Sequence, residues 1–223
     1  NPSKATSCRF KSGSGHHFMD FKLTEFLNIE DTDPYNLFKE LFQNAENAGQ
    51  KNTDAICVST FNKKEEEVTS RYLNLKYVKG NKWYFFSNYS SKKAMDIRDN
   101  NQVSALVFWS QIHTQIRMKA KIFVASSDVS DEHFKKRSIE KNALAISSNQ
   151  SSRIESFDCV EKNFQKSLKA LKEDKSIKRP DYWGGYYFIP YYFEFWRGHH
   201  NRLNKRVVYE SAGNNWNKYF LEP

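Results

Sequence analysis

The sequence lacks the signatures of several protein classes. No run of about 18 apolar residues occurs in its 223 residues, so no segment is expected to span a membrane. The first residues, NPSKATSCRFKSGSGHHF, hold no apolar stretch long enough for a secretory signal. The three cysteines, Cys8, Cys57 and Cys159, form no CxxC motif and no Cys/His pair at zinc spacing. We therefore expect no disulfide framework, no metal, and a reducing, cytoplasmic setting.

Common catalytic motifs are missing as well. The chain contains no GxSxG, no HExxH, no Walker loop and no GxGxxG that opens a helix. His199 and His200 are adjacent, so on a regular element they would point apart and chelate poorly. These absences argue against an α/β-hydrolase, a zinc protease, a P-loop enzyme and a Rossmann dehydrogenase.

Positive charge is abundant. The formal charge is +9, which favours an anionic partner such as nucleic acid, a phosphorylated small molecule or acidic lipid. The lysines are spread along the whole chain, as on a solvated surface. The segment FEFWRGHHNRLNKR at 193–206 mixes aromatic and basic residues, which suits nucleic-acid stacking, a metal site or the wall of an anionic cofactor pocket. Charge alone does not choose among these partners.

The apolar periodicity predicts one domain with helices outside a sheet. DTDPYNLFKELFQNAENAG predicts a helix with Asp33 as N-cap, Pro34 at the first position and Gly49 as the stop. SSKKAMDIRDN, DVSDEHFKKRSIEKNALAIS and DCVEKNFQKSLKALKED also read as helical. The strand-like segments are AICVSTF, VTSRYLNLKYV, KWYFFSN, QVSALVFW, TQIRMKAKIFVAS, IPYYFEFWRG, RVVYES and NWNKYFLEP. We expect a mainly β protein, an antiparallel sheet closed as a barrel with peripheral helices.

Three stretches could carry chemistry. In SRYLNLK, Arg71 and Lys76 lie on one predicted strand, where two cations could grip a phosphate or simply be exposed. In FFSNYSSKKAMDI, serines and lysines meet at a strand-to-helix turn, which suits a phosphate cradle or an ordinary helix cap. Gln115 could bond the edge of a heterocycle or be an exposed polar residue. Each stretch leaves both interpretations open.

Taken in order, these segments resemble the pyridoxamine/pyridoxine 5′-phosphate oxidase family. The resemblance rests on SRYLNLK, FFSNYSSKKA, TQIRM, NQSSRI, the block DYWGGYYFIPYYFEFWRGHHNRLNKRVVY and the terminal NWNKYFLEP. The tail, with WGG, EFW-x-G and RL-x-x-R in that order, is its most specific part. The resemblance implies an FMN-binding split β-barrel over residues 33–223, preceded by a flexible arm at 1–32. It also implies a homodimer with FMN at the subunit interface.

The resemblance implies a set of flavin contacts and a set of substrate contacts. The FMN set is Arg71, Tyr72, Leu73, Asn74, Leu75, Lys76, Phe86, Ser87, Lys92, Lys93, Gln115, Gln150, Ser151, Trp196 and Arg206. The substrate set is Lys76, His133, Arg137, Lys141, Arg202 and Asn204, of which Arg202 and Asn204 are the catalytic candidates. Cations would meet the FMN phosphate, glutamines the polar edges of the flavin, and Trp196 would supply a flat apolar wall.

Several substrate positions depart from the family pattern. The family's tyrosine and serine are His133 and Lys141 here, and its glycine-alanine-tryptophan reads LAI, ending at Ile146. The histidine of its RLHD motif is Asn204, and the aspartate is Lys205. Asn204 cannot ionise near neutral pH, as histidine can. These changes keep the site cationic and leave the substrate open.

The expected activity is FMN-dependent oxidation of pyridoxamine or pyridoxine 5′-phosphate, with hydride transfer to the flavin and reoxidation by O₂. One alternative is a diverged oxidoreductase for another anionic or heteroaromatic substrate. Another is a protein that binds FMN or pyridoxal phosphate with little turnover, or a basic barrel that binds nucleic acid. The FMN interpretation expects a small phosphorylated substrate and neither nucleic acid nor membrane as partner.

Overall fold

The computed structural model describes residues 24–174 and 176–223. The helices in these ranges are α1 (Asp33–Asn47), α2 (Lys92–Asp99), α3 (Ser127–Lys136), α4 (Ile139–Ser147) and α5 (Phe157–Glu173). The strands are β1 (Glu25–Leu27), β2 (Ala55–Asn62), β3 (Glu67–Asn74), β4 (Tyr77–Lys79), β5 (Lys82–Asn88), β6 (Gln102–Trp109), β7 (Thr114–Val124), β8 (Trp183–Arg197), β9 (Lys205–Ala212) and β10 (Asn215–Leu221). The predicted mainly β architecture with peripheral helices is confirmed.

All described strands belong to one sheet. Its order is β1-β4-β5-β8-β7-β6-β2-β3, with β9 paired to β8 and β10 paired to β9. Every pairing is antiparallel except that of β1 with β4, which is parallel. The hydrogen-bonded order ends at β1 and β3 rather than returning on itself. The split-barrel prediction holds, whereas the expectation that the sheet closes was wrong.

Strand β8 is the spine of the fold. One edge pairs with β7 along nearly its whole length. The other edge is shared, because β5 pairs with residues 183–188 and β9 with residues 192–197. At the rise of an extended strand, Gly185 and Trp196 are separated by about 35 Å along the chain. The two ends of β8 therefore face different neighbours.

The core is built from aromatic side chains that α1 presents to the sheet. Phe38 and Phe42 are buried against Trp83 and Trp109, and the Phe38 and Trp83 ring centroids are 4.4 Å apart. The predicted helix is confirmed, although its N-cap is Thr32 and not Asp33. The backbone at residue 32 is still extended, so the helix begins at Asp33, one residue earlier than predicted, and this aspartate lies in its first turn.

Two predicted boundaries also differ. The segment VTSRYLNLKYV forms two strands, because the Leu75 and Lys76 amides leave the ladder and donate to the carbonyls of Asp54 and Tyr84, both at 2.8 Å. The predicted arm extended to residue 32, but β1 already pairs with β4 in residues 25–27. Residues 1–23 of that arm lie outside the described residues. No helix in the described part of the chain has the length and apolarity needed to cross a membrane.

Candidate functional site

A buried lysine organises the first cluster. Lys93 lies in the first turn of α2 and is 7% exposed. Its Nζ donates to Ser87 Oγ at 2.7 Å, to Ser91 Oγ at 2.9 Å and to Gln150 Oε1 at 3.3 Å. Burial, and then the neighbouring charge of Arg71, lower the pKa of Lys93 to about 8. We call these five residues the Lys93 cluster. Among the described residues, the hydrogen-bond partners of this lysine are neutral oxygens, so an incoming anion would meet a cation that no carboxylate neutralises there.

Arg71 reaches this cluster from β3. Its Nη1 donates to Thr60 Oγ1 at 2.8 Å and to the Val58 carbonyl at 3.2 Å. Thr60 in turn donates to Asp96 Oδ2 at 2.7 Å. Burial is the main cause that lowers the pKa of Arg71, and the charge of Asp96 opposes it. The guanidinium is therefore oriented by hydroxyl and carbonyl groups.

His133 on α3 organises a second cluster, beside the first. Its ring lies parallel to Phe86, with centroids 3.6 Å apart and planes 10° apart. Its Nδ1 is 2.7 Å from the Tyr77 hydroxyl oxygen. Burial lowers the pKa of His133 to about 3, and nearby cations lower it further in the same direction; these are Arg137, Lys76, Lys136 and Lys141. The ring is therefore neutral at physiological pH.

Arg137 and two lysines supply the charge of this second cluster. The Arg137 guanidinium lies 4.3 Å from the Trp183 ring centroid, and its Nη2 donates to the Lys141 carbonyl at 2.9 Å. Its Nη1 is buried and has no hydrogen-bond acceptor among the described residues. Lys76 pairs with Asp54 at 2.9 Å. We call Lys76, Tyr77, His133, Arg137 and Lys141 the His133 cluster.

Electrostatics in the His133 cluster favour an anion. Burial, and then the charges of Lys76 and Arg137, lower the pKa of Lys141. Burial lowers the pKa of Arg137 to about 10. Neighbouring cations depress the pKa of Lys141, and a buried Arg137 nitrogen lacks an acceptor among the described residues. Both groups are stabilised when a phosphate or carboxylate enters.

The WGG motif explains how Phe86 comes to lie against His133. Gly185 stands opposite Phe86 in the β5–β8 pairing. A Cβ on Gly185 would lie 3.0 Å from Phe86 Cε1 and 2.9 Å from Ala125 Cβ. The glycine therefore leaves the space that the Phe86 ring occupies.

A third group lies at the other end of β8. Trp196 stands opposite Gln115 of β7 and Arg206 of β9. Arg206 donates through Nε to Glu194 Oε1 at 2.9 Å and through Nη1 to the Glu222 carbonyl at 2.9 Å. Glu194 is 2% exposed. We call Gln115, Trp196, Arg206 and the loop between β8 and β9 the Trp196 group. Its arginine is already paired.

The loop between β8 and β9 carries the catalytic candidates. Arg202 is exposed and adopts a left-handed backbone with φ of 60°, and its amide donates to the His199 carbonyl at 2.9 Å. Asn204 Oδ1 accepts a hydrogen bond from the His199 amide at 3.1 Å. The Asn204 side chain therefore ties the two ends of this loop together. His199 and His200 are exposed residues of the same loop.

One chain does not bring all predicted residues together. The Lys93 and His133 clusters meet at β5 and the start of β8, whereas the Trp196 group lies at its far end. Among the remaining predicted contacts, Leu75 is 2% exposed in the core, and Tyr72 is 71% exposed on the edge strand. Half-buried or exposed positions hold Leu73, Asn74, Lys92 and Ser151.

Sequence reasoning missed residues that the structure brings into these clusters. Tyr77 directly follows Lys76, but its contact with His133 joins positions 56 residues apart. Asp54 pairs with Lys76 across 22 residues. Glu194 stands in the quoted EFW segment, and its burial beside Arg206 depends on the β8–β9 register. No spacing rule in the sequence signals these pairs.

Two family models match the chain. One, described as pyridoxamine 5′-phosphate oxidase, matches residues 44–169. The other, described as the pyridoxine 5′-phosphate oxidase C-terminal dimerisation region, matches residues 183–223. The first covers both clusters at the start of β8, and the second covers the Trp196 and Arg206 positions.

Curated relatives agree with these matches. The chain is 36% identical over 191 residues to a pyridoxine/pyridoxamine 5′-phosphate oxidase of Leptospira biflexa, covering 86% of this chain and 89% of the relative. It is 30% identical over 216 residues to the protein of that name from Leptospira interrogans, covering 92% and 100%.

Solved structures share the fold. PhzG from Burkholderia lata, in complex with tetrahydrophenazine-1-carboxylic acid, has a TM-score of 0.80 at 24% identity, covering 86% of this chain and 93% of that chain. A pyridoxamine 5′-phosphate oxidase-related, FMN-binding protein from Nostoc punctiforme has a TM-score of 0.66 at 14% identity, covering 86% and 99%. Both family models and the curated relatives show that the chain belongs to the pyridoxine/pyridoxamine 5′-phosphate oxidase family and is an FMN-dependent oxidoreductase.

Proposed function

We propose that this protein oxidises pyridoxamine or pyridoxine 5′-phosphate to pyridoxal 5′-phosphate with O₂ as acceptor, as a homodimer with FMN at the subunit interface. The observation that carries the proposal is the His133 cluster. Lys76, Arg137 and Lys141 surround a neutral histidine, and a buried Arg137 nitrogen lacks an acceptor among the described residues. A phosphate group supplies the acceptors and the charge that this cluster needs.

The Lys93 cluster fits the phosphate of FMN. Lys93 is buried among hydroxyl and amide oxygens, and Arg71 lies close enough to lower its pKa. Lys93, Ser87 and Arg71 would hold the cofactor phosphate, as charge-assisted donors do elsewhere. When bound, FMN supplies the redox chemistry, taking a hydride from the substrate and passing the electrons to O₂.

The distance along β8 supports a site shared between two subunits. About 35 Å of extended strand separates the position opposite Phe86 from Trp196, which is longer than one flavin can bridge. The Trp196 group of one chain would therefore complete the two clusters of another. The match of residues 183–223 to a dimerisation region supports the same arrangement.

The loop residues have separate roles in this proposal. Arg202 is the exposed cation that would contact the substrate ring or its polar groups. Asn204 would act through its bond to the His199 amide, which fixes the loop that presents Arg202. Neither residue is assigned a proton transfer, because the proposal uses Arg202 as a hydrogen-bond donor and Asn204 as an acceptor.

Turnover of FMN-loaded protein tests the proposal. Pyridoxamine 5′-phosphate should give pyridoxal 5′-phosphate and hydrogen peroxide in air, and pyridoxamine without phosphate should be a far poorer substrate. Arg137→Met should raise the KM for the phosphorylated substrate by roughly 30-fold, with a smaller effect on kcat, since a charged hydrogen-bonding partner is lost. A filled flavin site with no turnover above background would contradict the proposal.

A second candidate is oxidation of another anionic heteroaromatic molecule. The observation that favours it is the basic side chain of Lys141 beside Arg137, at a position where the family has a serine. Anaerobic bleaching of the flavin absorbance by a panel of phosphorylated and carboxylated heteroaromatic compounds separates the two. Bleaching by a carboxylate, with none by pyridoxamine 5′-phosphate, would support this candidate. No bleaching by any compound would favour a binding protein with little turnover.

A further inference from the structure

Tyr77 belongs to the His133 cluster through a direct contact. It is the first residue of β4, next to Lys76, and its hydroxyl oxygen is 2.7 Å from His133 Nδ1. The two rings meet edge to face, with centroids 5.4 Å apart and planes 89° apart. Phe86 meets the Tyr77 ring at 89° and stacks on the His133 ring at 10°. The stacked Phe86 ring therefore holds the plane of the imidazole, and the Tyr77 hydroxyl holds the position of its Nδ1 atom.

Burial, and then the positive charges around it, lower the pKa of His133 and keep the ring neutral. The cations that act on it are Arg137, Lys76, Lys136 and Lys141. Carboxylates act on the neighbours of His133: Glu25 and Glu132 on Tyr77, and Asp54 on Lys141. A neutral imidazole has one donor nitrogen and one acceptor nitrogen, and a phenol hydroxyl is a good donor. If Tyr77 donates to Nδ1, the hydrogen of the ring must be on Nε2.

We propose that Tyr77 and His133 act as one unit, in which the Tyr77 hydroxyl donates to Nδ1 and so fixes the His133 tautomer whose Nε2–H donates to the bound anion. His133 then adds a donor to the substrate site without adding a further positive charge. Tyr77 is a positioning residue, since it acts through the histidine.

The unit has a consequence for specificity. Three cations already lie in the cluster, and a protonated histidine would raise the charge further at mildly acid pH. With the tautomer fixed and the ring neutral, His133 adds no change of charge to the site between about pH 5 and 8, the range in which a histidine of ordinary pKa titrates. The phosphate itself changes its charge in this range, since its second pKa is about 6.

Nitrogen NMR of the histidine rings in FMN-loaded protein tests the tautomer directly. The His133 signals are assigned as those missing from His133→Phe. We expect a neutral Nε2–H ring at pH 7 that stays neutral to pH 5. In Tyr77→Phe we expect a mixture of both tautomers, and in Tyr84→Phe no change. Tyr84 is the matched control because it stands opposite Tyr77 in the β4–β5 pairing. An Nδ1–H or a doubly protonated ring in the wild type at pH 7 would overturn the proposal.

Binding of inorganic phosphate to the same FMN-loaded proteins gives a second readout. Tyr77→Phe should weaken phosphate binding by roughly fivefold, the size of one neutral hydrogen bond, with FMN affinity unchanged. Tyr84→Phe should bind phosphate as the wild type does. Equal phosphate affinity in Tyr77→Phe and the wild type would refute the role of Tyr77. If Tyr77→Phe fails to fold, the wild-type tautomer alone decides.

The inference rests on the proposed function only for the identity of the anion. If pyridoxamine 5′-phosphate is not turned over while the tautomer and the phosphate effects are found, the proposed function fails and the Tyr77–His133 unit remains. If turnover is found and His133 carries its hydrogen on Nδ1, the unit fails and the proposed function remains.

Discussion

The two ends of β8 hold their positive charge in different ways. At the first end, Lys93 is solvated by hydroxyl and amide oxygens, and Arg137 keeps a buried nitrogen without an acceptor among the described residues. At the second end, Arg206 is paired with a buried carboxylate, Glu194. Among the described residues, Lys93 and Arg137 at the first end have no carboxylate partner, whereas the second end supplies its own carboxylate.

This difference indicates what each end contributes. An unpaired buried cation is costly without a ligand, so the first end is built around the anionic groups that it binds. Burying an ion pair also costs desolvation energy, but the pair holds the Arg206 and Glu194 side chains in one geometry. The second end therefore provides a rigid surface that carries Trp196. Substitutions that remove charge should therefore change ligand affinity at the first end and folding stability at the second.

Removing the charge of Lys93 should have the largest effect. Lys93→Met should weaken FMN binding by about 100-fold, because charge-assisted bonds from a buried lysine are lost. FMN affinity is measured by fluorescence quenching of the free flavin. Lys169→Met, at an exposed lysine of α5, is the control and should bind FMN normally. A Lys93→Met protein with wild-type FMN affinity would remove the first end from the cofactor site.

Removing the charge of Glu194 should instead destabilise the fold. Glu194→Gln leaves Arg206 and Arg117 without their carboxylate and weakens the hydrogen bond from Tyr192. We expect the free energy of unfolding to fall by about 2 kcal/mol, measured by urea denaturation of the FMN-free protein. Glu210→Gln, at an exposed carboxylate of β9, should be nearly neutral. Equal stability of Glu194→Gln and the wild type would contradict the pairing role.

The fold was largely predictable because its signals are local. The helix at residues 33–47 and most strands follow from the apolar period and the turn residues. What the sequence could not predict depends on pairing between distant segments. The break at Leu75 arises from a hydrogen bond to residue 54, and the end of the sheet at β1 arises from a parallel pairing with β4.

Removing the Asn204 amide should have a smaller effect. Asn204→Ala loses the bond to the His199 amide and loosens the loop that carries Arg202. We expect kcat/KM for the phosphorylated substrate to fall by roughly fivefold, the size of one hydrogen bond, with FMN affinity unchanged. Asn201→Ala, in the same loop, is the control, because its side chain does not make this bond. A loss of FMN affinity in Asn204→Ala would show that the loop acts differently.

A last effect concerns acid stability at the first end. The pKa of His133 is lowered from 6.5 to about 3, so between these values the unfolded chain binds more protons than the folded protein. The contribution of the buried, neutral His133 to the free energy of unfolding is complete above pH 6.5. It is lost progressively as the pH falls towards 3. The unfolding free energy of His133→Phe should therefore decrease less between pH 7 and pH 5 than that of the wild type. Parallel pH dependences would contradict a buried neutral histidine.

The candidate site was predictable in its residues but not in its arrangement. The resemblance supplied Lys93, Arg137 and Trp196, yet only the strand register places Trp196 at the opposite end of β8 from the other two. The roles of Tyr77 and Glu194 depend on contacts that no motif encodes. Side-chain pairing across strands is a property of tertiary structure.

Mixing of two inactive variants tests most directly whether one site uses both ends of β8 from different chains. Lys93→Met disables the first end and Arg202→Ala the loop at the second. If each site combines two chains, a mixed dimer has one site with both lesions and one intact site, so unfolding and refolding an equal mixture should restore about a quarter of wild-type turnover. If each site were built within one chain, every site would carry a lesion, and the mixture would stay as inactive as the separate variants.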